Sequence, residues 1–286
     1  MSDSAGVLYI VATPIGNLAD ISQRALDVLQ DVDLIVAEDT RNSQKLLGHY
    51  AIKTRMMALH EHNEREQADE LIKKLQAGTS IAAIIDAGTP LISDPGYHLV
   101  SLSHEHGIRV VPIPGPSALI TALSTGGLAT DRFVFEGFLP SKAAARLSHL
   151  QTLAKEPRTM VFYEAPHRLI ESLESMLSVF GADRMAVLAR ELTKLYETVR
   201  RASLEELCDW VKQNPEQQKG ESVILVAGCA SNESTETIEI DVDQLLTALL
   251  TKLHVKEAAQ LASQISGLSK NRLYARALEL QQSRRD

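Results

Sequence analysis

The sequence predicts an α/β protein made of two α/β domains and a small C-terminal all-helical unit. Three observations lead there. Between residues 7 and 227, apolar runs of strand length alternate with amphipathic segments of helical period, the pattern of strands joined by crossover helices. Pro112-Ile113-Pro114-Gly115-Pro116-Ser117 carries three prolines in five residues, which neither a helix nor a central strand continues, so a domain junction is expected there. Beyond residue 230 a polar, acidic stretch gives way to helical patterning alone. The expected divisions are residues 1–114 and 115–230 for the α/β domains, 231–242 for a linker and 243–286 for the helical unit.

Val7 to Ala12 reads as the first strand, ended by Thr13-Pro14-Ile15-Gly16-Asn17-Leu18 and followed by an amphipathic helix over 22–30. Leu34 to Ala37 is the second, ended by Glu38-Asp39-Thr40-Arg41 and followed by a helix over 43–50. A short strand over 57–59 leads into a charged helix over 63–76. The strand over 81–85, a helix over 97–106 and the strand Arg109 to Pro112 close the first domain. In the second, strands are expected over 133–138, 159–163, 185–189, 198–202 and 222–227, and helices over 142–154, 166–180 and 204–213, with some antiparallel pairing. The helical unit reads as three helices broken near His254 and at Ser266-Gly267-Leu268-Ser269, and its last two resemble a helix-turn-helix pair.

The most informative segment is Asp86 to Gly96, DAGTPLISDPG, between the apolar run Ile81 to Ile85 and a helix. Gly88 and Gly96 permit backbone geometry closed to other residues, while Pro90 and Pro95 hold φ fixed, so the loop can be irregular and rigid together. It stands where parallel sheets bind ligands, beyond the carboxyl end of a strand. A simple crossover turn is the bland alternative. No GxGxxG fingerprint or Walker A loop is present, which disfavours a nicotinamide or nucleoside triphosphate site.

Composition narrows the class. No apolar run is long enough to span a bilayer and the N-terminal segment lacks a basic region and a cleavage site, so a soluble, cytoplasmic protein without a membrane partner is expected. Cys208 and Cys229 have no CxxC spacing and read as free thiols. The net charge of -8 argues against coating nucleic acid by bulk electrostatics. Charge is nevertheless segregated: residues 243–286 hold seven Lys or Arg against four Asp or Glu, and the linker holds four acids and no base.

Glu38, Asp39 and Arg41 stand together at a strand end, either as surface charges or as groups that hold a ribose and its phosphate, with Arg41 suited to a bidentate contact. His60 and His62 would share a face if extended, but no third ligand accompanies them, so no metal site is expected and solvated or substrate-facing imidazoles remain. Arg190, Glu191, Thr193 and Lys194 could face a cleft from the second domain, or be surface groups.

The ordered set TPIGNL (13–18), AEDTR (37–41), DAGTPLISDPG (86–96), PIPGPSA (112–118), FYEAPHR (162–168) and RELTKLYE (190–197) resembles the tetrapyrrole methylase superfamily, and is closest to its ribosomal RNA small-subunit methyltransferase I branch. The resemblance runs from about Leu8 to Gly228. It implies the tetrapyrrole methylase fold, with S-adenosyl-L-methionine bound folded in a cleft between the two α/β domains, and a homodimer. It also implies residue roles. Pro14 would line the cleft floor; Ala87, Gly88, Thr89 and Ile92 would contact the methionine and ribose portion, with Asp86 at the cofactor or in its immediate shell; Ser117 and Ala118 would start a helix beside the carboxylate; Glu164 and Ala189 would frame the adenine. Many small-molecule methylases of the superfamily read Gly-Asp-Pro where this chain has Gly88-Thr89-Pro90, a departure that points away from porphyrin-type substrates.

The expected reaction is methylation of the ribose 2′-oxygen of a cytidine in the decoding centre of 16S rRNA, with rRNA or the 30S subunit as partner. The alternatives are a tetrapyrrole C-methyltransferase and a non-catalytic S-adenosylmethionine-sensing DNA-binding regulator. A ribose hydroxyl is a very weak acid, so a base or a cation is wanted beside it, and His60, Asp39 and Lys194 are the candidates. Asn17, Glu38, Arg41 and Arg168 are candidate substrate contacts within the α/β domains. In the basic helical unit, Lys256, Lys270, Arg272 and Arg276 are the candidate phosphate contacts.

Overall fold

Five parallel strands form the first sheet: β1 (Val7–Val11), β2 (Leu34–Ala37), β3 (Met56–Ala58), β4 (Ile81–Ile84) and β5 (Arg109–Ile113), in the order β3-β2-β4-β1-β5. The computed structural model describes residues 5–59, 64–92, 96–229, 242–266 and 268–282. β2 and β4 are buried along their whole length, as parallel strands covered on both faces must be. The covers are α1 (Gln23–Asp31) and α2 (Thr40–His49) on one face, through Ala25, Leu29 and Leu47, and α3 (Glu64–Gln76) and α4 (Tyr97–Glu105) on the other, through Leu71, Leu75 and Leu99. Because β4 returns between β2 and β1, the loops after β1 and β4 become neighbours at the carboxyl end of the sheet.

Two local readings are corrected. The strand expected to stop at Pro112 runs through it to Ile113, with Pro112 opposite Ile10; β5 is an edge strand, where a missing N–H costs the ladder little. The second helix begins at Thr40 rather than at 43, because the Asp39 carboxylate accepts the Arg41 backbone N–H at 2.8 Å and caps it. Ser22 caps α1 in the same way, at 3.1 Å from the Ala25 N–H. α4 has Gly96 at its cap position and takes its cap from a distance: Glu64, in the first turn of α3, accepts the His98 N–H at 2.8 Å.

After the proline-rich link, α5 (Ala118–Gly126) precedes a second sheet of β6 (Phe133–Phe138), β7 (Thr159–Glu164), β8 (Met185–Arg190), β9 (Thr198–Ser203) and β10 (Ser222–Val226), in the order β6-β7-β10-β8-β9. Here β6 and β7 are parallel and the other pairings antiparallel. One face packs on α6 (Ala143–Thr152), α7 (Leu169–Phe180) and α8 (Leu204–Gln213) around Phe162, Leu173 and Met176. The other packs on α5 through Leu119, Ala122 and Leu123, and also receives Ile15 from the loop after β1. That core therefore joins both sheets into one unit, residues 1–229.

Residues 230–286 form a separate unit. α9 (Val242–Leu249), α10 (Val255–Ser266) and α11 (Lys270–Gln282) enclose a small core of Leu246 and Leu273 packed with Ala259, Ala262 and Ala277. The expected linker falls on residues 231–242, which lie outside the described residues apart from Val242. No helix among the described residues is long and apolar enough to cross a membrane.

Candidate functional site

A cleft of about 410 Å³ opens at the carboxyl end of the first sheet and is closed from the other side by the second. Its size suits a small-molecule ligand. The loops after β1 and β4 are pinned to each other by Thr13 and Gly88, whose backbones exchange hydrogen bonds at 2.9 and 3.0 Å. The Thr13 hydroxyl donates to the Ile85 carbonyl at 3.1 Å. Gly88 has φ +93°, a left-handed conformation that favours glycine. Thr89 donates its hydroxyl to the Pro116 carbonyl at 3.0 Å, tying this loop to the link between the sheets.

Of the residues expected at a cofactor, Asp86, Ala87, Gly88, Thr89, Ile92, Ser117, Ala118, Glu164 and Ala189 all line this cleft. Pro14 is not among its lining and is buried next to Ile15, which is. Ser117 stands at the start of α5 without capping it, so the first N–H groups of that helix remain available to an anion.

Two carboxylates, at the ends of the adjacent strands β2 and β4, enter the cleft: Glu38 and Asp86. Asn42 of α2 donates to Asp86 at 2.8 Å. Burial, and then the Asp86 charge, push the Glu38 carboxyl above its ordinary value, although the Asp86 backbone N–H hydrogen-bonds to it. Asp39 is its opposite. The Arg41 side chain and then its backbone N–H hold Asp39 down at a pKa of about 2. Arg41 is itself bound to Asp39, with Nη2 at 2.8 Å from Oδ2.

The second-lobe wall begins with Glu164, whose residue is 2% exposed. Its carboxylate accepts the Ala165 N–H at 2.9 Å and the Ser172 hydroxyl, and faces Arg168 Nε at 3.3 Å. Arg168, expected at the substrate, here pairs with this carboxylate and also donates to the Leu139 carbonyl, its side chain 18% exposed. Arg190, 6% exposed, is likewise internal: it donates at 3.0 Å to Gln217 Oε1 and to the carbonyls of Lys219 and Tyr196, pinning the turn between β8 and β9.

That turn carries Lys194, expected beside the developing oxyanion, into a pair of ion pairs. Its ammonium lies 2.8 Å from Glu191 Oε1 and 2.9 Å from Glu221 Oε2, and its stem rests on Gly16 of the first lobe. Burial lowers the proton affinity of Lys194, yet the two carboxylates outweigh it and hold the ammonium above its ordinary value. Glu191 and Thr193 both have positive φ, +50° and +66°, a strain that the surrounding bonds sustain. Glu191, for instance, accepts the Glu221 N–H at 2.9 Å.

Asn17 caps a short 3-10 turn by accepting the Ala19 N–H at 3.1 Å, and is exposed beside Leu18. His60 and His62 lie outside the described residues. In the helical unit, Lys256 and Arg272 are exposed, and Lys270 donates to Gln260 at 3.1 Å. Arg276 also braces the unit: its guanidinium holds both oxygens of Asp243 on α9 and donates to Glu279 at 2.6 Å, with its side chain still 46% exposed.

Residues that the sequence reading did not single out for the cleft include Phe138, Tyr163, Leu192, Glu221 and Val223. Strand-end position could have flagged Phe138 and Tyr163. Glu221 and Val223 enter through antiparallel pairing of β10 with β7 and β8, which no local signal encodes.

Comparison with known proteins agrees with this geometry. The profile of the family described as Tetrapyrrole (Corrin/Porphyrin) Methylases matches residues 7–208, and that of the RsmI C-terminal HTH domain matches residues 236–281. The chain is 57% identical over 278 residues to the "Ribosomal RNA small subunit methyltransferase I" of Pseudomonas aeruginosa, covering 97% of this chain and 99% of that protein. It is 54% identical over 279 residues to the protein of the same name from Escherichia coli O157:H7, covering 98% and 97%. Among solved structures, the uroporphyrin-III C-methyl transferase of Thermus thermophilus complexed with S-adenyl homocysteine shares the fold at a TM-score of 0.53 and 17% identity, covering 78% of this chain and 97% of that one. A cobalt precorrin-4 methyltransferase does so at 0.57 and 18%, covering 77% and 94%. With both profiles and near-full-length relatives in agreement, this chain belongs to the tetrapyrrole methylase family, in its ribosomal RNA small subunit methyltransferase I branch.

Proposed function

We propose that the protein uses S-adenosyl-L-methionine to methylate the ribose 2′-oxygen of a cytidine in the decoding centre of small-subunit rRNA, acting in the cytoplasm as a homodimer. The observation that carries the cofactor reading is the pairing of opposite electrostatic ends in one cleft. The open N-terminus of α5 suits a carboxylate, and the Glu38 and Asp86 carboxylates suit a cation, as a ligand bearing both an α-carboxylate and a sulfonium requires. The names of the two relatives supply the RNA class, and the motif resemblance supplies the 2′-oxygen and the cytidine.

When bound, S-adenosylmethionine supplies an electrophilic methyl group. The chain's own part is to align a nucleophilic oxygen and to exclude water. The loops pinned by Thr13 and Gly88 form a rigid wall, and the apolar surface of Leu192 and Val223 closes the other side. Glu38 is the base this geometry favours, because its carboxylate lines the cleft and is more basic than an ordinary one. Asp39 is a weak base and Lys194 is a paired cation, so we assign neither to proton removal. Asp86, held by Asn42, keeps the Glu38 proton affinity high. Exposed Lys256 and Arg272, with Lys270, would hold RNA phosphates from the helical unit.

The test is incubation with labelled S-adenosylmethionine and either naked rRNA or small subunits from a strain lacking the protein, followed by mapping of the label. One ribose methyl on one small-subunit nucleotide is expected. Label on a porphyrinogen and on no RNA would overturn the reading.

A further inference from the structure

Phe138 is a large apolar side chain left 55% exposed on the cleft that also holds Asp86 and Glu38. Its position is constructed by a defect in the strand. β6 and β7 pair in parallel register as Phe135 with Val161, then as Gly137 with Phe162 and Phe138 with Tyr163, so Glu136 is an inserted residue. Strict alternation would send Phe135 and Phe138 to opposite faces. The bulge, with Gly137 at φ +64°, brings both to the face of Tyr163. Both rings meet Tyr163 edge-on, with centroids 4.9 Å from Phe135 and 5.7 Å from Phe138. Glu136 itself is tethered, its Oε2 lying 3.1 Å from His149 Nε2 on α6. The result is an aromatic series running from the buried core beneath Phe135 to the exposed rim, fixed in orientation and open at its last member.

We propose that Phe138 is the stacking platform for the base of the target nucleotide. This rests on the nucleic-acid reading above and deepens it. A nucleobase presents a flat π-face to an exposed ring, and stacking holds a splayed-out nucleotide while its ribose points toward the strand-end carboxylates. The adenine of the cofactor belongs elsewhere in the cleft. A fully enclosed ring needs buried walls, which Val223 and Ala189 provide on the interior strands β10 and β8, whereas Phe138 lies on the edge strand β6.

The experiment compares Phe138→Ala, Phe138→Leu and Phe138→Trp in the full chain, with small subunits from a strain lacking the protein and labelled S-adenosylmethionine. Stacking is worth about 10- to 100-fold in kcat/KM for the subunit, so Ala and Leu should both lose on that order while Trp retains the rate. Affinity for S-adenosylhomocysteine, measured by calorimetry, should be the same in all four proteins, which also checks that each variant is folded. A Leu variant at the wild-type rate would reduce Phe138 to a filler, and weaker S-adenosylhomocysteine binding would give the ring to the cofactor. A changed oligomeric state by light scattering would give it to a subunit contact. Each of these overturns the proposal while leaving RNA methylation by the wild type intact, whereas a wild type that labels no RNA removes the underlying reading first.

Discussion

Gly16 and Lys194 should behave as one unit although they belong to different lobes. A Cβ built on Gly16 would overlap Lys194 Cγ and come within 2.8 Å of Cε, where about 3.5–4.0 Å is the comfortable carbon separation. The stem must then move by roughly an ångström, and the ammonium cannot keep its contacts to Glu191 and Glu221. Overpacking of this kind costs about 1–3 kcal/mol. Lys194→Ala alone should cost about 1–2 kcal/mol, mostly by leaving Glu191, whose side chain is 17% exposed, without its cation; Glu221, at 74%, adds little. Once the lysine stem is gone the Gly16 methyl has room, so Gly16→Ala should cost much less in the Lys194→Ala background. Any backbone cost of alanine at position 16 is common to both backgrounds and cancels. The expected coupling is about 1–2 kcal/mol, well above the ~0.3–0.5 kcal/mol within which independent sites add. Urea unfolding followed through Trp210, the single tryptophan, measures it. Additive losses would refute the clasp between the lobes.

Glu38→Gln should lower kcat by at least about 10²-fold, the usual scale for a general base, while S-adenosylhomocysteine affinity changes little. Because the Glu38 carboxyl is raised and must be ionised to act, the acid limb of the wild-type rate profile should fall at a pH above that of an ordinary glutamate, and should move down in Asp86→Asn. Asp39 titrates at about 2 in the folded chain against an ordinary value of 3.8, so its contribution to stability is complete above the ordinary value and is lost as pH falls through about 2. The melting difference between wild type and Asp39→Asn should accordingly shrink with acidification. Glu164→Ala leaves the partly buried Arg168 guanidinium with only the Leu139 carbonyl and the Ser172 hydroxyl without its acceptor, and should cost about 1–3 kcal/mol in unfolding. Thr89→Asp sets a carboxylate against the Pro116 carbonyl in place of a donated hydrogen bond, and calorimetry should show S-adenosylhomocysteine binding weakened by about 10-fold or more.

Everything the sequence determined is carried by local pattern. Apolar runs such as Ile81 to Ile84 are strands because their burial is uninterrupted, and the glycines and prolines after them mark the loops that became the cleft wall. Asp86, Gly88 and Thr89 were legible for that reason, and Glu164 and Ala189 through the motifs around them. Tertiary structure decided what depends on partners far along the chain. Lys194 meets Glu221, Arg168 meets Leu139 and Arg190 meets Gln217 only because strand pairing and helix packing bring them together, and each such contact gives an apparently free charge a partner. The bulge at Glu136 is invisible to a two-residue period, so the face that Phe138 occupies appears only once β6 is laid against β7. A side chain's type can be read one residue at a time, but its availability for chemistry depends on whether the fold has already given it a partner.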